Sequence, residues 1–331
     1  MAANLTLQYH RAEKAYRSAT TPKEELDCLQ TMLVELPKHK GTDKLQADLK
    51  QKISKAKLAI AELAKKGGNK SLSTKIPRQG AGRAIIIGSP NAGKSQLLAT
   101  ATKAKPVIGE YPFTTTHPLP GMMPFEDVYF QLIDTPPITK DMFDTTTLEL
   151  IRGAELVLLL LDLGSDDGGE QLMELVERVN QSKSRLGIET KIDKEDLGVT
   201  YTHTLLLNNK CDLPEADDRL QFFSEFVDLP FERHSISALN ADGLKPLAKR
   251  VFEVMNVVRV YTKHPNKKEP DMDSPFTIKT GETLADLAAL IHCDFAQNLK
   301  GARVWGTNVH DGTPVKSDYV LNDKDIVELQ V

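Results

Sequence analysis

The sequence has 331 residues, of which 40% are hydrophobic and 27% are charged, so it is long enough for two or three globular domains. Its longest apolar run, residues 156–161, is far shorter than the roughly 20 residues that a membrane helix needs. The three cysteines are odd in number and far apart, so neither a disulfide framework nor a zinc cluster is predicted. The first residues lack the charged-then-apolar pattern of a secretory signal. We therefore expect a cytoplasmic protein with no membrane partner.

The net charge of −4 conceals a basic N-terminal part and an acidic remainder. Residues 1–80 hold 16 Lys and Arg against 8 Asp and Glu. The rest of the chain holds 26 basic and 38 acidic residues. Such an asymmetry favours a basic arm attached to an acidic body.

Apolar residues at three- and four-residue intervals predict helices within residues 1–64, with breaks at residues 20–22 and 36–37. We expect two of these helices to pack as a hairpin against the next domain. Residues 65–82, rich in Gly, Ser and Lys, are predicted to form a flexible linker. The two apolar stripes consist of Leu26, Leu29, Leu33 and Leu36, and of Leu45, Leu49, Ile53, Ala56, Ile60 and Leu63.

The polar positions of this helical part are rich in lysine, which leaves two interpretations open. Lysine side chains bind the phosphates of nucleic acids, but they also form the solvated face of ordinary helices. The candidate RNA contacts are Lys38, Lys40, Lys44, Lys52 and Lys55.

A glycine-rich loop follows the short β-branched run of residues 84–87. Residues 88–95 read GSPNAGKS and fit the pattern G-x-x-x-x-G-K-[ST], and the residues after them predict a helix. Backbone N–H groups in such a loop, together with the helix N-terminus, bind phosphate. Lys94 is expected to reach the β- and γ-phosphates, and the Ser95 hydroxyl is expected to bind Mg²⁺. The predicted nucleotide-binding residues of this loop are Ser89, Asn91, Ala92, Gly93, Lys94, Ser95 and Gln96.

From residue 83 onward, short apolar strands alternate with helices. This α/β pattern predicts a mostly parallel sheet with helices on both faces. The predicted strands lie at residues 84–87, 122–125, 128–133, 156–161 and 204–207, and a last strand ends with residues 235–238. The predicted helices lie at residues 96–101, 170–179, 216–227 and 244–255.

Four motifs in this order resemble those of the GTPase domain of translation-type GTPases: the glycine-rich loop, Asp134 with the residues after it, N-K-C-D at residues 209–212, and S-A at residues 237–238. The resemblance implies that Asp212 accepts two hydrogen bonds from guanine that adenine cannot supply. It also implies that Asn209 ties its loop to the phosphate loop and that Lys210 lies over the base. The backbone of Ser237 and Ala238 is implied to meet guanine O6.

The resemblance further implies the metal ligands and the catalytic residues. Asp134 resembles the acid that holds Mg²⁺ through water, with Thr135 beside it in the nucleotide site. Thr115 resembles the switch threonine that ligates Mg²⁺, although its neighbours at 114 and 116 are also threonines. Asn91 matches a subset of the family that recruits K⁺. The implied catalytic residues are therefore Asn91, Lys94 and Thr115.

Two residues depart from the usual pattern of this domain. Pro137 stands where a glycine normally donates its N–H to the γ-phosphate, and proline has no N–H. Ile138 stands where many GTPases carry a glutamine that orients water. Slow intrinsic hydrolysis is therefore expected, and a guanine-nucleotide-binding scaffold that hydrolyses little remains an alternative.

Residues 111–115, together with the phosphate loop, resemble the Obg/DRG branch of GTPases, and residues 257–331 resemble a TGS domain of β-grasp fold with a helix at 285–298. The expected domains are a basic helical hairpin (1–64), a linker (65–82), a P-loop GTPase domain (83–256) and the TGS domain (257–331). The resemblance implies a GTP-hydrolysing switch with GTP or GDP, Mg²⁺ and the ribosome or rRNA as partners.

A stabilising protein partner is also expected. Two alternatives are a TGS domain that only stabilises the GTPase core and, less favoured for want of room, a TGS-bearing synthetase or alarmone enzyme.

Overall fold

The computed structural model describes residues 7–18, 22–36, 42–65, 76–102, 117–139, 143, 145–193, 196, 198–265 and 269–330. The helices are α1 (Leu7–Ser18), α2 (Pro22–Glu35), α3 (Asp43–Lys65), α4 (Lys94–Ala101), α5 (Thr145–Gly153), α6 (Gly168–Asn180), α7 (Ala216–Phe226), α8 (Leu244–Met255), α9 (Leu284–Ile291) and α10 (Cys293–Asn298). The strands are β1 (Arg83–Gly88), β2 (Leu119–Phe125), β3 (Val128–Asp134), β4 (Leu156–Asp162), β5 (Ser184–Gly187), β6 (Lys191–Ile192), β7 (Thr200–Asn209), β8 (Glu232–Ile236), β9 (Val257–Thr262), β10 (Asp271–Lys279), β11 (Gly301–Gly306), β12 (Val309–Val315) and β13 (Asp325–Gln330). None of the helices in the described part of the chain qualifies as a membrane span.

The N-terminal part is a unit of three helices, in which α1 packs on α2 and α2 packs on α3. Leu29 and Leu49, from the two predicted apolar stripes, are buried in its core. Tyr9 and Tyr16 of α1 are buried in the same core. The helix before the first predicted break therefore packs onto the predicted hairpin, and tyrosines rather than leucines dominate its apolar face.

The central domain is built on a sheet with the strand order β2-β3-β1-β4-β7-β5, in which only β2 runs antiparallel along this path. The far edge of β7 also pairs in parallel with β8, and antiparallel with the short β6. Ile86 lies in the core on one face of the sheet, whereas Ile85 and Ile87 lie in the core on the other. Burial on both faces explains why these strands are continuous apolar runs. The predicted α/β class with a mostly parallel sheet is confirmed.

The described part of the predicted linker, residues 76–82, runs beside β3. The Gln131 N–H donates to the Gly82 carbonyl at 2.9 Å, and the Gln131 side chain donates to the Pro77 carbonyl at 2.9 Å. Ile76 packs against the core of the central domain. These contacts hold residues 76–82 on the sheet, in contrast to the flexible linker that was predicted.

The C-terminal domain is a five-stranded sheet with the order β10-β9-β13-β11-β12, in which only β9 and β13 are parallel. Leu284 and Leu287 of α9 pack into the core beneath the sheet, which gives the predicted β-grasp fold. The helix predicted at 285–298 is interrupted at His292, whose backbone is extended (φ −164°, ψ 144°). His292 Nδ1 accepts a hydrogen bond from the Asp294 N–H at 3.2 Å, so this residue ends α9 and caps α10.

Candidate nucleotide site

The phosphate loop lies at the centre of the sheet, because β1 is paired with β3 on one side and with β4 on the other. Asn91 and Gly93 in this loop have left-handed backbones, with φ of 59° and 89°. A Cβ at Gly93 would lie 2.3 Å from Nδ2 of Asn209, so only glycine fits this position. The turn leads into the N-terminus of α4, where the first backbone N–H groups have no partner within the helix and can bind an anion.

Lys94, the first residue of α4, is buried, and the loop itself holds its ammonium. Nζ donates to the carbonyl oxygens of Gly88 at 3.1 Å and Ser89 at 2.8 Å. Burial lowers the pKa of Lys94 to about 8, against the opposing influence of Asp134 and Asp162. An ammonium has three N–H donors, so one is left, within the described residues, for an anion at the loop.

Ser95 and Asp134 lie side by side, and the Ser95 hydroxyl donates to Asp134 Oδ2 at 2.6 Å. The Asp134 carboxyl group is buried at the end of β3, opposite Ile86 of β1. The hydroxyl of Thr135 donates to the Ile86 carbonyl at 2.8 Å, so this side chain ties the two strands together. Hydroxyl and carboxylate oxygens are the ligands that Mg²⁺ prefers, and this donor set fits the ion.

Asn209 connects three loops that are far apart in the sequence. Its Nδ2 donates to the Ala92 carbonyl in the phosphate loop at 2.8 Å. Its Oδ1 accepts the N–H of Ala238 at 3.0 Å. The side chain is 1% exposed, so both hydrogen bonds lie in the interior. The structure therefore brings the motifs at 88–95, 209–212 and 237–238 together.

Lys210 is held by Asp162, a residue outside the predicted motifs. Lys210 Nζ lies 2.7 Å from Asp162 Oδ2, and the other carboxylate oxygen accepts the Gly164 N–H at 2.8 Å. A Cβ on Gly164 would lie 2.8 Å from Cδ of Lys210, which shows how closely the lysine stem passes over this loop. An aspartate directly after the apolar run 156–161 was the available signal for this residue.

Asp212 is exposed, and no hydrogen bond to its carboxylate is found within the described part of the chain. Ser237 is buried, and its hydroxyl accepts the Asn240 N–H at 3.1 Å. The backbone of Ser237 and Ala238 was predicted to contact guanine O6. The Ala238 N–H already donates to Asn209 Oδ1, so a hydrogen bond to guanine O6 needs another donor. The Ala238 carbonyl accepts the Thr100 hydroxyl at 2.7 Å, which fixes this loop to α4.

Three further predicted residues stand at the edge of the site or outside the described part. Asn91 is exposed at the tip of the phosphate loop. Gln96 is half-buried, and its amide donates to Thr100 Oγ1 at 3.1 Å. Thr115 lies outside the described residues.

Residues 83–191 match the family model described as the 50S ribosome-binding GTPase, and residues 258–330 match the model of the TGS domain. An uncharacterized GTP-binding protein of Methanocaldococcus jannaschii is 27% identical, over 93% of this chain and 93% of that protein. Developmentally-regulated G-protein 2 of Arabidopsis thaliana is 25% identical, over 92% of this chain and 90% of that protein. The chain is a GTP-binding protein of the Obg/DRG type with a C-terminal TGS domain. Among solved structures, Aquifex aeolicus Era bound to GDP and AlF4⁻ is similar at a TM-score of 0.38 and 21% identity, over 53% of this chain and 57% of that one.

In this Obg/DRG-type chain, the two departures from the usual motif are both buried. Pro137 is enclosed, and Ile138 is part of the core on one face of the sheet. Ile138 also lines a cavity of about 480 Å³ beside the phosphate loop, together with Ser89, Pro90 and Arg178 of α6. The side chain at position 138 is therefore fixed by packing and has no group that can orient water.

The predicted RNA contacts of this Obg/DRG-type chain have different environments. Lys55 is exposed on α3, whereas Lys52 has a buried Nζ that would lie 2.9 Å from a Cβ on Gly198 of the GTPase domain. The enclosed ammonium of Lys52 is poorly placed to contact a phosphate. Lys38 and Lys40 lie outside the described residues, and Lys44 lies in α3 with a side chain that is not described.

Proposed function

We propose that this chain is a GTP-hydrolysing switch that acts on the ribosome or on structured RNA. The observation that carries the proposal is Asn209, whose side chain joins the loop expected to bind phosphates to both loops expected to bind the base. Such a link holds the phosphate-binding and base-binding loops in one fixed arrangement, as recognition of a single nucleotide by all three loops requires. The description of the matched GTPase family, which includes binding to the 50S subunit, supports the ribosome as the partner.

In this proposal, the phosphate loop and Lys94 bind the phosphates, and Asp212 selects guanine. The exposed Asp212 carboxylate accepts the N1–H and 2-amino groups of guanine, while adenine would leave it unpaired. Lys210 lies over the base, because Asp162 fixes its ammonium. Ser95 and Asp134 would hold Mg²⁺, with Thr115 as the further proposed ligand. The ion neutralises phosphate charge when bound.

Hydrolysis is proposed to be slow in the isolated chain. Pro137 cannot donate a backbone N–H to the γ-phosphate, and Ile138 cannot orient the attacking water. Asn91 is the proposed K⁺ ligand, because it is exposed at the tip of the phosphate loop. A monovalent cation there would place positive charge against the developing phosphate charge.

Contact with RNA is proposed for the basic N-terminal helices, with the exposed Lys55 as the described representative. Lys38, Lys40 and Lys44 remain candidates for the same role. Every phosphate that such lysines neutralise releases counterions, so binding is expected to weaken as salt rises. Sedimentation with large ribosomal subunits over a range of salt concentrations measures how strongly binding depends on salt.

Single-turnover GTP hydrolysis in K⁺ or in Na⁺, with and without large ribosomal subunits, tests the proposed switch. We expect slow hydrolysis by the chain alone, faster hydrolysis in K⁺, and a further increase with subunits. A Lys94→Ala protein that still bound GTP tightly would contradict the assignment of the phosphate site. An Asp212→Asn protein with unchanged preference for guanine would contradict the assignment of the base site.

The buried Pro137 and Ile138 also favour a second candidate function, a nucleotide-binding scaffold that regulates a protein or RNA partner. This candidate requires tight GTP binding without turnover in any of the four conditions. Acceleration by subunits would exclude it, since a scaffold gains nothing from hydrolysis.

A further inference from the structure

A groove between α6 and α7 exposes aromatic side chains to solvent. Phe222 and Phe226, one helical turn apart on α7, are 66% and 71% exposed, and their ring centroids are 4.7 Å apart. Met173 of α6 is exposed on the opposite wall. Single exposed apolar residues are common on soluble proteins, but a contiguous apolar patch marks an interaction surface.

The exposed rings are not needed to attach α7 to its own domain. Phe223 performs that role, since it is 4% exposed and lies in the core on one face of the sheet. Gly169 of α6 allows the close approach, because a Cβ there would lie 2.9 Å from Cδ2 of Phe223. Phe223 therefore attaches α7 to the sheet, whereas the side chains of Phe222 and Phe226 remain mostly exposed to solvent in the described structure.

The groove has a volume of about 850 Å³ and a strongly acidic rim. Among the described residues, Arg219 is the one cation that lines the groove, and it is already paired with Asp166 at 2.7 Å and with Glu215 at 2.8 Å. Glu170 and Asp218 are exposed, and neither has an ion pair within the described part of the chain. The five acidic residues that line the groove are Asp162, Asp166, Glu170, Glu215 and Asp218.

We infer that this groove binds a basic amphipathic helix of a partner protein. An apolar stripe on such a helix would cover Phe222, Phe226 and Met173, while its lysines and arginines would meet the acidic rim. An anionic lipid surface is repelled by the same rim. Helices α1 and α3 of a second copy are net basic, but their apolar stripes are buried in their own core and cannot enter the groove.

The groove is separate from the nucleotide site, although the two meet at Asp162, whose carboxylate holds Lys210. Binding at the groove is therefore measurable with GDP bound, and it stands or falls independently of the hydrolysis rate.

Fluorescence anisotropy of labelled synthetic peptides with the GDP-loaded full chain tests the inference. The probe is a peptide of about five helical turns, with leucine at three- and four-residue intervals and lysine elsewhere. The counterpart has glutamate in place of every lysine. We expect the lysine peptide to bind with a Kd of about 10 µM and the glutamate peptide to bind at least about tenfold more weakly.

The double variant Phe222→Ser/Phe226→Ser removes the two exposed aromatic rings of the α7 wall and leaves every charge in place. It is expected to raise the Kd of the lysine peptide at least about tenfold, because the leucine stripe of the peptide then loses the rings that it packs against. Control variants Val34→Ser and Met272→Ser, which remove exposed apolar side chains elsewhere, should leave the affinity unchanged. Unchanged GDP affinity shows that each variant is folded.

Two results would overturn the inference. One is equal affinity of the lysine peptide for the wild type and the double variant, which would mean that charge alone attracts it. The other is equal binding of the lysine and glutamate peptides, which would mean that the acidic rim does not select the partner.

Discussion

Lys52 lies on the side of α3 that faces the GTPase domain, whereas Lys50, Lys55 and Lys57 of the same helix are exposed. Its Nζ is buried, without a hydrogen-bond partner among the described residues. Burial lowers the pKa of Lys52 to about 8, and the positive charge of Lys183 acts in the same direction. An enclosed ammonium without a hydrogen bond costs free energy, so this lysine destabilises the fold at neutral pH.

We expect Lys52→Met to raise the free energy of unfolding at pH 7 by about 1 kcal/mol. The expected gain is small because the side chain is only half buried, so solvent screens part of its charge. The folded state binds this proton less tightly than the unfolded chain, in which the pKa is near 10.5. The cost is therefore complete below pH 8 and is relieved as the pH rises toward 10.5. Urea unfolding measures the free energy of unfolding of the wild type and of Lys52→Met. The difference between the two proteins should shrink as the pH rises from about 7 to about 10.

Lys55→Met is the matched control, because this residue is exposed on the same helix. It should change the free energy of unfolding by no more than about 0.5 kcal/mol at any pH. Equal effects of the two substitutions would refute the assigned environment of Lys52.

At the scale of elements, parallel strands bring the site residues to one edge of the sheet. Gly88 ends β1, Asp134 ends β3, Asp162 ends β4 and Asn209 ends β7. The carboxyl ends of parallel strands meet at the same edge, which is where ligands bind in open α/β sheets. Asn209 then couples the loops that follow β1 and β8.

Asn209→Ala is expected to weaken binding of a fluorescent GDP analogue about 30-fold, equivalent to about 2 kcal/mol. Two buried hydrogen bonds are lost, and the Ala92 carbonyl and the Ala238 N–H lose this partner. The Kd from a fluorescence titration measures the effect.

Asn208→Ala is the control for this experiment. Asn208 is also buried on β7, but neighbouring strand residues point to opposite faces, and its Oδ1 has no hydrogen-bond partner in the described structure. Its removal should leave the Kd within about threefold of the wild type. If both substitutions weakened GDP binding alike, the cause would be damage to β7 rather than loss of the bridge.

At the scale of the whole molecule, Arg259 of β9 joins the TGS domain to the GTPase domain. Its guanidinium binds Glu126 and Asp127 in the turn between β2 and β3, with Nη1 at 2.8 Å from Asp127 Oδ1. Nε and Nη2 bind Asp323 of the TGS domain at 3.0 Å and 2.6 Å. The same group lies 4.9 Å from the ring centroid of Phe252 on α8.

Arg259→Met is expected to destabilise the TGS domain by about 3 kcal/mol, because it leaves three clustered carboxylates without their common cation. Trp305, the single tryptophan, lies in this domain, so its fluorescence reports urea unfolding there. The hydrogen bond from Arg259 lowers the pKa of Glu126 in the folded state. The advantage of the wild type should therefore be full above about pH 5 and shrink as the pH falls further.

Arg250→Met provides the comparison, since Arg250 also pairs with two carboxylates, Glu232 and Glu253, but on the surface of the GTPase domain alone. Its loss should change the unfolding free energy by less than about 1 kcal/mol. If the two substitutions lowered the free energy of unfolding by similar amounts, the position of Arg259 at the domain junction would contribute no extra stability.

The sequence by itself determined the fold class, the TGS domain and the set of loops at the candidate site. Each of these depends on a short local signal: apolar runs long enough for one buried strand, the eight residues 88–95, and N-K-C-D after a strand. A helix before the first break was predicted, but its packing onto the other two was not, because Tyr9 and Tyr16 make a weaker apolar stripe than leucines. The helix break at His292 was missed too, since no Gly or Pro marks it.

Only the tertiary structure decided which side chains meet. Lys210 and Asp162 are 48 residues apart, and Arg259 lies more than a hundred residues from Asp127. Lys52 and Lys55 share a helix and a residue type, yet one is enclosed by a neighbouring domain and the other is exposed. Periodicity specifies which face of an element is apolar, whereas burial and pairing depend on which elements pack against that face, and this depends on the whole chain.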